Sequence, residues 1–157
     1  YYADFYDNGT IVLSLVPAWR NSDNTLGLYD LVNDEFYTNA GIRVRSKSEL
    51  IIGNCLEQYN IAYRYEKPLR LKDSAAMVHP DFSILDLKRR QEIYWEHLGM
   101  MDEIDYRNNA LLKIRNYELS GIFVGERLIL TMETLKNPID IRQLHTCIKH
   151  LKYRLDN

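Results

Sequence analysis

Two short, largely apolar runs, each carrying two acids, constrain this chain more than any other feature. DFSILD (81–86) and EIYWEHL (92–98) have the β-branched and aromatic content of strands, and the charged LKRRQ stretch between them reads as a turn. Folded about Lys88–Arg89, the runs form a hairpin in which Asp81 faces Glu96 on one side of a sheet, roughly 5 Å away. Like charges so placed destabilise a sheet unless a proton or a cation lies between them. All-oxygen ligands suit Mg2+, with Mn2+ as substitute, so the pair points to a divalent metal.

The flanking sequence supplies partners. Ser46-Lys47-Ser48-Glu49 opens a helical periodicity at Ile51, Ile52, Cys55, Leu56 and Tyr59. Glu49 lies on the line of Ile52 and Leu56 and so points along the buried face, where an acid needs a partner. The same Ser46-x-x-Glu49 spacing is that of a capping box, in which the Glu reaches back to the cap amide. IAYRYEKPL (61–69) reads as a strand ahead of the hairpin. Behind the hairpin, Asp102 is placed to cap a helix over 103–118 closed by Gly121. Lys113 shares a stripe of that helix with Tyr106, Ala110 and Tyr117. RLILTME (127–133) reads as a fourth strand, and Ile141, Leu144, Ile148 and Leu151 mark a last amphipathic helix. The order helix, three strands, helix, strand, helix predicts an α/β chain built around a small sheet.

Three acids and a lysine in one pocket would hold a metal and a phosphate, activate a water and stabilise the charge of in-line attack, which is phosphodiester hydrolysis. The stretch from Ser46 to Tyr117 resembles the PD-(D/E)XK nuclease superfamily in the helix-borne Glu49, the Pro80-Asp81 step opening a strand, and Glu96 in the next strand. The resemblance implies a restriction endonuclease-like αβββαβ core, a small mixed sheet flanked by helices. It further implies Glu49, Asp81 and Glu96 as metal ligands, and a lysine that positions or activates water. Leu98 stands where that lysine belongs in the motif, and Lys113 is the replacement on the neighbouring helix. His97 could instead supply a polar group, although strand alternation puts it on the other face from Glu96. The function so implied is a Mg2+-dependent deoxyribonuclease domain within a larger DNA-processing protein. The alternative is a catalytically degenerate module that keeps the fold and binds nucleic acid or protein.

Charge distribution divides the chain. Residues 1–40 hold one base, Arg20, against six acids, whereas residues 41–157 hold 19 bases against 16 acids. The overall net charge of −2 gives no global sign of nucleic-acid binding. The acidic front begins with two β-prone runs, 1–6 and 10–16, around Asp7-Asn8-Gly9, the signature of a hairpin. NSDNTLGLYDLVNDEF (21–36) follows and, rich in turn formers, reads as irregular. Residues 1–40 are thus expected to be a hairpin appendage ending a preceding region, and 41–157 the nuclease-like domain. Tyr1 in place of an initiator Met fits a chain cut from something longer, with covalently linked flanking domains.

Candidate DNA contacts are Arg43, Arg45 and Lys47 ahead of the first helix, and Lys88, Arg89 and Arg90 at the hairpin tip, all suited to phosphates rather than base edges. Lys149, Lys152 and Arg154 form a third basic group. No apolar run approaches the ~20 residues of a membrane-spanning helix. Cys55 and Cys147 are too few for a disulfide framework and fit a reducing cytoplasm. A homo-oligomer is compatible with all of this.

Overall fold

A computed structural model describes residues 3–8, 10–20, 25–30, 35–72 and 77–157. The chain divides into two compact units, Tyr1–Asn60 and Ile61–Asn157. This division falls twenty residues beyond the compositional change at residue 40, because the first helix packs on the strands that precede it.

The first unit is a five-stranded antiparallel sheet in sequential order, β1 (Ala3–Asp7), β2 (Thr10–Arg20), β3 (Thr25–Asp30), β4 (Glu35–Tyr37) and β5 (Arg43–Val44). The expected hairpin is its first two strands, with Asn8 at φ 48° in the connection. It is not a separate appendage. β2 runs on to Arg20 through Pro17, and the stretch read as irregular contains β3 and β4. Pro17 pairs with Leu28 of β3, and among the described residues the β1 ladder ends at Leu15. α1 (Lys47–Gln58) closes the unit, capped by the Ser46 hydroxyl, which accepts from Glu49 N at 3.1 Å. The predicted stripe of Ile51, Ile52, Cys55 and Leu56 is buried.

The second unit is built on a four-stranded mixed sheet of order β11-β10-β9-β6. β6 (Tyr63–Tyr65), β9 (Phe82–Asp86) and β10 (Gln91–Leu98) are antiparallel neighbours, and β11 (Leu128–Met132) runs parallel to β10. A parallel neighbour requires a crossover, which α2 (Ile104–Leu119) supplies. The strand expected over 61–69 is shorter than that. It stops at Tyr65 because Glu66 adopts φ 46°, and the chain then enters a two-stranded ribbon of β7 (Leu69–Arg70) and β8 (Met77–Val78).

The β9–β10 register is the one a turn about Lys88–Arg89 demands, from Gln91 opposite Asp86 to Trp95 opposite Phe82. Pleating sorts the side chains. Phe82, Ile84, Ile93 and Trp95 take one face and are buried, with Tyr63 and Tyr65 edge-on to Phe82 at ring distances of 5.2 and 5.8 Å. On the other face, Tyr94 and Leu128 join Tyr117 of α2, Leu71 and Ile122 in a buried cluster.

α2 starts one residue later than the expected cap. Glu103 is at the N-cap position without a side-chain bond, while the Asp102 carboxylate accepts from Leu135 N at 2.8 Å and so ties down a loop instead. Gly121, at φ 75°, ends the helix as expected. α3 (Ile141–Asp156) is capped by Asp140, which accepts from Arg142 N, and buries Leu144, Ile148 and Leu151.

Candidate active site

The two acids that the hairpin was expected to bring together are both buried in the second unit. Glu96, on β10, is 3 % exposed, and Asp81, one residue before β9, is 6 % exposed. The paired ladder stops at Phe82–Trp95, one step short of these two acids. Instead of a further ladder bond, Asp81 turns its carboxylate onto the sheet, and Oδ2 accepts from the backbone N–H of His97 at 2.6 Å.

Both oxygens of Glu96 are engaged from α2. Lys113 Nζ donates to Oε2 at 2.7 Å, and the Tyr117 hydroxyl donates to Oε1 at 2.6 Å. Residues 113 and 117 are four apart and lie on one stripe of the helix, which is why a single strand acid receives both. The stripe was legible in the sequence, but Tyr117 as a partner for Glu96 was not inferred from it. Burial pushes the Tyr117 hydroxyl far above the ordinary tyrosine range, reinforced by the charge of Glu96, the bond to it, and the charge of Asp81. That hydroxyl therefore remains a donor at any ordinary pH. Tyr94, 6.3 Å from the Tyr117 ring centre to centre, is raised to about 12 by burial and by Glu92.

The positive charge that offsets Glu96 in the described chain is thus Lys113. Its other two N–H protons have no partner among the described residues, and its side chain is 34 % exposed.

His97 points to the opposite face, as strand alternation requires. Its Nδ1 lies 3.0 Å from Thr131 Oγ1, which also accepts from Trp95 Nε1 at 2.9 Å. His97 Nε2 is 3.2 Å from Glu133 Oε1 but off the line of a hydrogen bond. Leu98 is buried at 5 % exposure and contributes no polar group.

Glu49 belongs to the first unit. It is nearly buried, and its Oε2 accepts from Arg45 N at 2.9 Å, one residue before the cap amide that a capping box would engage. Among the described residues, no group of three His, Cys, Asp or Glu side chains gathers closely enough to hold a metal.

Most of the cations picked out as phosphate contacts are engaged elsewhere. Arg43 pairs with Glu35 at 2.6 Å, and Lys47 stands 6.0 Å from the centre of the Phe36 ring. Arg89 holds the fully buried Asp86 through its backbone N–H (3.0 Å) and its guanidinium (3.2 Å). Its guanidinium also donates to Arg154 O at 2.8 Å, and Lys88 donates to Asp156 O. The hairpin tip therefore caps the C-terminus of α3, where cations suit both the unpaired carbonyls and the helix dipole. Arg90, at φ 51°, and Arg45 are exposed.

Compared with protein-family models, curated proteins and solved structures, the chain finds no match in any of the three.

Proposed function

We propose that this chain carries a metal-dependent nuclease centre that hydrolyses DNA phosphodiester bonds, with Asp81, Glu96 and Lys113 at its heart. The observation that supports the reading is the part-buried Lys113–Glu96 pair on the same sheet face as Asp81. Two acids in an apolar setting are costly, and structural need alone would be met more cheaply by apolar residues of similar size. In chain order, leaving aside the short β7–β8 ribbon, α1, β6, β9, β10, α2 and β11 follow the α-β-β-β-α-β order that the resemblance implies.

The donor set fits Mg2+ or Mn2+. Asp81 and Glu96 offer hard oxygen ligands, and Mg2+ is commonly held by one or two carboxylates with substrate phosphate and water completing its shell. When bound, the ion would act as a Lewis acid on the scissile phosphate.

The chain's own residues do the rest. The His97 N–H fixes the rotamer of Asp81. Tyr117 fixes Glu96 in the same way. Lys113, with two protons to spare, donates to a phosphoryl oxygen or orients the attacking water. The apolar floor of Tyr94, Leu128 and Ile122 lowers the local dielectric and strengthens each of these interactions.

A second reading, a degenerate module that binds without cutting, is favoured by Leu98 and by the saturation of both Glu96 oxygens. Incubating the chain with supercoiled and branched DNA in Mg2+ or Mn2+ separates the two. Cutting that disappears in Glu96→Gln and Lys113→Ala supports the nuclease. Binding without cutting in either metal supports the second reading.

A further inference from the structure

The second unit carries a groove of about 420 Å³ on the sheet face that also bears Asp81 and Glu96, lined by Arg64, Lys67, Ser83, Leu85 and Glu92 among others. Arg64 on β6 is directly opposite Ser83 on β9, which is opposite Tyr94 on β10, so their side chains share that face. Ser83 is two residues from Asp81 along the chain, a step of roughly 7 Å in extended backbone. Ser83 thus joins the groove lining to the strand that follows Asp81.

Its chemistry is that of an anion site. Lys67 donates to Glu92, which also accepts from the Tyr94 hydroxyl at 3.1 Å, so these two charges cancel. The Arg64 side chain is exposed and makes no hydrogen bond or ion pair among the described residues, whose charges in the groove lining then sum to one positive. The Ser83 hydroxyl is enclosed in the groove wall with no hydrogen-bond partner among the described residues. Leu85, 55 % exposed, gives the far end an apolar surface. A planar guanidinium beside an unsatisfied hydroxyl and an exposed leucine suits a phosphate with a sugar behind it.

We infer that this groove is a second phosphate subsite, in which Arg64 and Ser83 hold the phosphodiester next to the one at Asp81 and Glu96, so that a single strand runs along the sheet face. The inference names how the substrate strand is held and rests on the nuclease reading for its direction along the sheet, but strand binding itself is separable from cutting. Ser83 contributes after a rotation about its Cα–Cβ bond, and Arg64 without any change.

Fluorescence anisotropy with a labelled single-stranded DNA 20-mer in EDTA tests it with cleavage silenced. Arg64→Glu should weaken binding at least tenfold, Arg64→Lys two- to threefold, and Ser83→Ala about threefold. Arg142→Glu, the same charge reversal on an exposed residue of α3, should not weaken it. Undiminished binding by Arg64→Glu, an equal loss in Arg142→Glu, no binding by the unaltered chain, or displacement of the strand by equimolar dAMP each overturns the inference. If Arg64 governs binding but no condition yields cleavage, the nuclease reading fails and the groove stands. If cleavage occurs and Arg64→Glu binds as before, the groove alone fails.

Discussion

The backbone N–H of His97 donates to Asp81 Oδ2 at 2.6 Å, while the His97 side chain is committed to Thr131 on the other face of the sheet. One residue of β10 thereby fixes an acid on one face and anchors the sheet to β11 on the other. Its neighbour Glu96 receives Lys113 and Tyr117 from α2. The centre is thus held by one strand through its backbone and by one helix through its side chains.

Tyr117→Phe keeps the ring in the core and deletes only the hydroxyl that serves Glu96. A hydrogen bond to a buried charge is worth about 2 kcal/mol. Urea unfolding should show a loss of that size, with a drop in Tm of about 5 °C.

Lys113→Met leaves the Glu96 charge with Tyr117 as its sole partner from α2. Because Lys113 is one-third exposed, the expected loss is about 2 kcal/mol rather than the larger cost of breaking a fully buried pair. Adding Glu96→Gln removes the stranded charge, so the double variant should be more stable than Lys113→Met alone. Equilibrium urea titration of all four proteins measures the coupling.

The hairpin register shows how much of this was legible beforehand. Alternating strand residues on both sides of LKRRQ, plus pleating, were enough to put Asp81 and Glu96 on one face and His97 on the other. Ser46 was legible as a cap because capping is a local interaction. What escaped was non-local or short. β3 and β4 lie among Asn and Asp residues that outweighed their few strand formers. β7 and β8 have two residues each and carry no periodicity. Asp102 was misassigned because its partner, Leu135, lies 33 residues on. Lys88 and Arg89 looked like phosphate ligands because the helix end they cap is more than 60 residues away.

Acid should unfold the chain in part through Asp86 and Glu92. Burial alone would raise both, but hydrogen bonds from Arg89 to Asp86, and from Lys67 and Tyr94 to Glu92, hold each below its ordinary value of 3.8 or 4.5. The unfolded chain then takes up protons first, so this stability is complete above about pH 5 and is lost as pH falls through the lowered folded values. Urea midpoints measured from pH 7 to pH 3 should fall, and Asp86→Asn should show a shallower fall from a lower starting stability.

Arg89→Ala deprives Asp86 of its guanidinium and the α3 terminus of a donor. Amide hydrogen exchange over residues 150–157 should quicken, by about tenfold for each ~1.4 kcal/mol of local stability lost, with little change in β1–β5. Unchanged exchange at the end of α3 would mean that the cap carries no weight.

The account turns on whether Asp81 and Glu96 share a divalent ion, and calorimetric titration with Mn2+ addresses this without any substrate. The unaltered chain should bind Mn2+, and Asp81→Asn and Glu96→Gln should each weaken that binding at least tenfold while remaining folded by circular dichroism. Absence of Mn2+ binding, or binding that both variants retain at full strength, would contradict it.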